Sequence, residues 1–169
     1  MAYQTLPKRM EEWAKEKVPG LDVYLKREGL RDADKIIRDE LVARLERVKA
    51  TVDKAKRLRV DAGSLQNLDK LDRATRKLDK VRDTIRFDSR GYQGIFDPQE
   101  VAEAELNHLL DFDQKLFGVV EALAQAAVNL AKLPDAELPP VLLDFEDQVE
   151  ALNQTLGERE KYASQKLPA

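Results

Sequence analysis

Catalysis or metal binding in this chain would fall mainly to its 32 Asp and Glu side chains, since the other usual groups are scarce. The 169 residues include one histidine and no cysteine, which excludes a disulfide framework, a thiolate zinc site and a cysteine nucleophile. The histidine stands in Glu105-Leu106-Asn107-His108, the Glu-x-x-His spacing with which helical bundles hold carboxylate-bridged metal pairs. A spacing of three puts Glu105 and His108 on one helix face, and Phe112, Leu116, Val119 and Leu123 continue that face inward. Such a site also needs a second Glu-x-x-His and two further glutamates. One chain with one histidine cannot supply them, so only a two-fold dimer would complete the set. The alternative is a histidine that finishes a core seam against a carboxylate, and no cofactor is expected.

A second pair is Asp144 and Gln148, at i and i+4. Together they could orient a magnesium ion and a water. The pair resembles the Asp and Gln, one turn apart, of the helical phosphatase of bacterial chemotaxis. The likeness covers these five residues. No glycine-rich phosphate loop and no Ser/His/Asp set is present, so the chain reads as non-catalytic.

Charge is the next source of candidates. The net charge is −3, yet residues 1–97 carry +6 and residues 98–169 carry −9. From Arg44 to Arg90 there are 15 basic and 8 acidic residues. Lys54, Arg57, Arg73 and Lys77 are the candidates there for binding an anionic surface, of nucleic acid or membrane. Against that reading, acidic residues interrupt the face and no aromatic is interleaved for base stacking. Neutralisation of the basic half by the acidic half is the competing explanation. The segment Lys8–Lys26 mixes cations with Trp13, Val18, Leu21, Val23 and Leu25, as an interfacial helix would. Glu11, Glu12, Glu16 and Asp22 dilute its charge, however, and Pro19-Gly20 breaks its face.

The most distinctive local segment runs from Phe87 to Asp97, with two glycines among Phe87, Tyr92 and Phe96. Glycine permits an abrupt turn, and aromatics give large contact area at low entropic cost. Arg90, Tyr92, Gln93 and Phe96 are therefore the candidate partner-binding residues. The alternative is that Phe87, Ile95 and Phe96 plug the end of a bundle.

The elements that position these groups are helical throughout. Apolar residues recur at three and four in Leu41, Leu45, Val48, Val52 and Ala55, and in Leu68, Leu71, Ala74, Leu78, Val81 and Ile85. They predict helices over about 32–60 and 65–87, with Ala62-Gly63 as a stop and Ser64 as the next N-cap. Asp97, Pro98 and Glu100 open a third helix that reaches Leu133 before Pro134. A fourth begins at Pro139-Pro140 and carries Leu142, Phe145, Val149, Leu152 and Leu156. The third helix has polar residues in one thin stripe, from Glu103 through Gln114, Gly118 and Gln125 to Lys132. An apolar circumference of that breadth needs neighbours on several sides, so this helix is expected to be the spine, with any uncovered face an oligomer interface.

The expected fold is all-α: an elongated helical bundle of four longer helices with a short N-terminal helical arm. Residues 1–29 form the arm, 30–96 a basic hairpin, and 97–169 the acidic central and returning helices, in one domain. Charged residues make up 36%, against about 25% on average, which suits long solvated helices. Leu116–Leu133 carries Glu121, Gln125, Asn129 and Lys132, too polar for a membrane span. The first residues show no signal-peptide pattern, so the cytoplasm is the expected location. The expected function is a non-catalytic protein-protein interaction module with a protein partner, self-associating as a homo-oligomer.

Overall fold

The computed structural model describes residues 8–18, 30–87 and 103–166. The described residues form the α-helices α1 (Lys8–Lys17), α2 (Leu30–Asp61), α3 (Leu68–Phe87), α4 (Glu103–Lys132) and α5 (Leu138–Lys166), with a 3₁₀ turn at Asp135–Glu137. The four long ones pack into a bundle and α1 lies against α4. At about 1.5 Å per residue, α2 extends for about 48 Å.

Each predicted seam is buried. Leu41, Leu45, Val48 and Val52 of α2 meet Leu71, Leu78, Val81 and Ile85 of α3 in one core. Leu116, Val120, Leu123, Ala127 and Leu130 of α4 and Leu142, Phe145, Val149, Leu152 and Leu156 of α5 complete it. The order around the bundle is α2, α3, α5, α4. Among the described residues, the diagonal pairs α2/α5 and α3/α4 do not approach each other. Short loops join the antiparallel pairs α2/α3 and α4/α5. The contacts Arg44–Glu121 and, farther along both helices, Arg59–Leu130 show that α2 and α4 run parallel as neighbours, so α3 and α5 do too.

The third long helix, α4, is therefore a corner of the bundle and not its spine. Its flanks meet α2 and α5, while Gly118, Glu121, Ala122, Gln125, Asn129 and Lys132 face solvent. Ala124 and Val128 are exposed as well. The pattern overstated the need for neighbours because it counted alanine as apolar, and an exposed alanine methyl costs little.

The α2–α3 turn also differs from expectation. Gly63 adopts φ 73°, its N–H donates to Val60 O, and the Ser64 N–H donates to Arg59 O. That pattern is a Schellman stop. Ser64 is not the N-cap of α3. Its hydroxyl donates to Asp135, and α3 starts four residues later, with the Leu71 N–H donating to Asn67 O. Asn67 sits at φ 62° and donates through Nδ2 to Asp135 O at 3.1 Å.

Arg59 joins this turn to the one after α4. Its buried guanidinium donates to Leu130 O at 2.9 Å and to Leu133 O at 2.8 Å. It also donates to Ala55 O and pairs with Asp135 at 3.1 Å. Leu130 is in the last turn of α4 and Leu133 follows it, where intrahelical donors run out. Arg59→Met is expected to lower the unfolding free energy by about 2–4 kcal/mol, because buried acceptors lose their donor. Urea unfolding followed by circular dichroism measures it, and a loss under about 0.5 kcal/mol, the range of an ordinary surface substitution, would contradict this role.

Candidate functional site

Glu105 and His108 are on the first turns of α4, and the histidine is exposed. This corrects the expectation that it points inward. Its ring packs edge-on to Phe112, at a centroid distance of 5.2 Å, and tilts against Tyr162 of α5 at 4.3 Å. Burial, and then the nearby Glu105 charge, raise the Tyr162 pKa above its ordinary value. Among the described residues, no group of three or more His, Asp or Glu side chains is placed to hold a metal ion. The exposed His108 thus lies against rings of α4 and α5, with the Glu105 charge near Tyr162.

The four anion-binding candidates are not brought together. Arg73 and Lys77 converge from α3 on the buried Glu146 of α5, at 2.9 Å each. Lys54 and Arg57 are exposed on the outer face of α2. Arg57 borders an open cleft with Ala50, Asp53, Lys56, Val60 and Asp61, all from that single helix, with two carboxylates among them. Other cations of the hairpin are paired: Lys49 with Asp79, Lys56 with Asp53 and Asp72, and Arg86 with Glu46. The structure therefore ties the basic face to carboxylates of its own chain at these positions.

Asp144 and Gln148 are bonded to each other, Gln148 Nε2 donating to Asp144 Oδ2 at 2.7 Å. Arg90, Tyr92, Gln93 and Phe96 lie outside the described residues. The same holds for the Asp97-Pro98-Glu100 helix start and the 19–29 part of the arm. Phe87, the last residue of α3, is exposed.

Two arrangements were not apparent from the sequence. In the first, Arg159 of α5 pairs with Asp113 of α4 at 2.7 Å inside the core, both side chains almost wholly buried. Burial pushes the Asp113 pKa up more than Arg159 pulls it down. In the second, α1 docks on α4 in four-residue steps. Arg9 Nη2 donates to Asp111 at 2.7 Å and to Gln114 at 3.0 Å. Trp13 meets the Phe117 ring edge-to-face at 5.1 Å, and Lys17 pairs with Glu121 at 3.5 Å. Arg44 of α2 closes the junction. It donates to Lys17 O at 2.6 Å, pairs with Glu40 at 2.8 Å and stacks 4.8 Å from the Phe117 centroid.

Large exposed apolar side chains have a definite distribution. Leu58, Val60, Leu65, Val128 and Leu143, five of six among the described residues, lie within about two helical turns of the end where Arg59 and Asp135 join the two interhelical turns. The sixth, Phe87, is at the opposite end. Among the described residues no helix is long and apolar enough to cross a membrane.

The buried carboxylates respond to pH with opposite signs. Burial raises the Glu146 pKa, but hydrogen bonds and charge from Lys77 and Arg73 outweigh it and lower the value. Its contribution to stability is complete above about pH 4.3 and is lost as pH falls through the lower folded value. Asp113, with its value raised, makes stability fall as pH climbs from about 4. Glu146→Gln is thus expected to flatten the acid limb of the urea midpoint below about pH 4.3. An acid limb as steep as that of the wild type would contradict the pairing with Arg73 and Lys77.

The chain matches no known family model, no curated protein and no solved structure, so its function must be argued from this geometry.

Proposed function

We propose that the protein is a non-catalytic, cytoplasmic helical interaction module that self-associates. The observation that carries this reading is the gathering of Leu58, Val60, Leu65, Val128 and Leu143 near one end of the bundle. Single exposed apolar residues are ordinary, but five of the six among the described residues standing near one end are the reason for placing an interaction there. The same end is firmly built, because Arg59, Asp135, Ser64 and Asn67 bond across it. Apolar side chains carried on a well-bonded end are ordered on binding at lower entropic cost than mobile ones.

The chemistry of the candidate sites supports the non-catalytic part. His108 is engaged with aromatic rings, Gln148 is bonded to Asp144, and Glu146 is held by two cations. Neutralisation of Arg73 and Lys77 by the acidic α5 favours the protein-partner reading over an anionic-surface binder.

Light scattering on the purified chain is expected to give a mass that rises above 19.3 kDa with concentration. Leu65→Glu combined with Leu143→Glu is expected to return it to the monomer, since buried charge opposes an apolar contact. A monomer at every concentration would remove self-association from this reading.

A further inference from the structure

The parallel neighbours α2 and α4 form an outer groove, and among the described residues α1 fills only part of it. Lys17 ends α1 level with Arg44 of α2 and Glu121 of α4. The helix stops there for a local reason: Pro19 disfavours helical backbone at the preceding residue, and Gly20 adds a further break. The groove itself continues. Heptad steps keep a helix face nearly constant, so Thr51 and Leu58 follow Arg44, and Val128 follows Glu121, along the same edges. Both helices run the same way, and the bonds from Arg59 to Leu130 and Leu133 place their last turns side by side. Beyond α1 the edges present Ala124, which is exposed, with Val128 39% and Leu58 49% exposed.

We infer that this groove is a docking site for a partner helix longer than α1 that displaces it. The partner would carry a basic, an aromatic and a basic residue at four-residue spacing, then apolar residues over the next two turns. Its first half is defined by what α1 already does. Asp111 takes the first cation, Phe117 the aromatic ring and Glu121 the second cation. Its second half is defined by the exposed Ala124, Val128 and Leu58, about 10 Å farther along. The resident α1 has ten residues, below the roughly 12–15 at which an isolated helix becomes even marginal. Its advantage is its tether, which gives a high effective concentration. A rival succeeds only through contacts that α1 lacks, and the open half of the groove supplies them. The proposal extends the interaction-module reading and does not depend on self-association.

Trp13 is the chain's one tryptophan and is 8% exposed against Phe117, so its emission reports the displacement of α1 directly. The probe is a synthetic peptide of residues 5–28 with Trp13→Phe, Pro19→Ala and Gly20→Ala, in which Leu21 and Tyr24 continue the Trp13 face. Added to the full chain, it is expected to shift the protein's emission to the red in a saturable way, with helix content retained. Half-saturation should need about tenfold less of it than of the residue 5–18 peptide with Trp13→Phe. Leu58→Ser with Val128→Ser should erase that tenfold difference and leave the short peptide's value unchanged. A long peptide carrying Arg9→Glu and Lys17→Glu should not act. Equal potency of the two lengths, equal action of the charge-reversed peptide, or no red shift would overturn the proposal. So would a red shift that follows protein concentration without peptide, since the occupant would then be a second copy of the chain.

Discussion

The arrangement depends on how two parallel helices are kept in register with no short loop between them. Antiparallel neighbours α2/α3 and α4/α5 are aligned by their turns, but α2 and α4 are separated in sequence by all of α3. Their C-termini lie side by side, which brings together two sets of unpaired carbonyls and two negative dipole ends. Arg59 lies between them, bonded to Ala55, Leu130 and Leu133. A guanidinium suits that position because its fixed fork serves several acceptors at once and keeps its charge when buried. Arg44 repeats the device at the end of α1, donating to Lys17 O while pairing with Glu40 and Glu121.

The uneven charge of the two halves has a structural counterpart. Arg9, Lys17, Arg44, Arg59, Arg73 and Lys77 come from the basic portion, and each meets a carboxylate of the acidic portion. Most of these pairs are partly exposed and individually contribute little. Their value is in specifying which helix lies beside which, since an amphipathic seam alone would accept several neighbours. Arg159 and Asp113 differ: both come from the acidic portion and both are enclosed. A buried pair of this kind adds little net stability, but removal of one partner strands the other charge.

The four long helices were legible because Leu, Val, Ile and Phe at three and four leave no other way to bury a common face. The stop at Gly63 was legible for a comparable reason, a left-handed residue being cheapest as glycine. Other features rested on partners that one sequence does not name. Arg59 follows Val52 and Ala55, and Arg159 follows Leu152 and Leu156, at seam spacing, so each marks a charge directed inward. Their carboxylates are 76 and 46 residues away, and spacing within a helix carries no information at that range. The same periodicity points His108 inward, but near the start of α4 the rings that meet it among the described residues are Phe112 and Tyr162. Arg73 and Lys77 were legible only as cations of the basic hairpin. Their engagement by Glu146 was not, because it depends on α5 lying beside α3.

Distances between spin labels on α2 and α4 test this arrangement most directly, and the absence of native cysteine makes the labelling clean. Cysteines introduced at Arg47 and Ala122, and separately at Arg57 and Lys132, are expected to give two short and similar distances. The crossed pair Arg47 and Lys132 should be longer, because ten helical residues add about 15 Å of axial offset. A crossed distance shorter than the two direct ones would mean that α2 and α4 run antiparallel, and the Arg59 junction and the groove would both be contradicted.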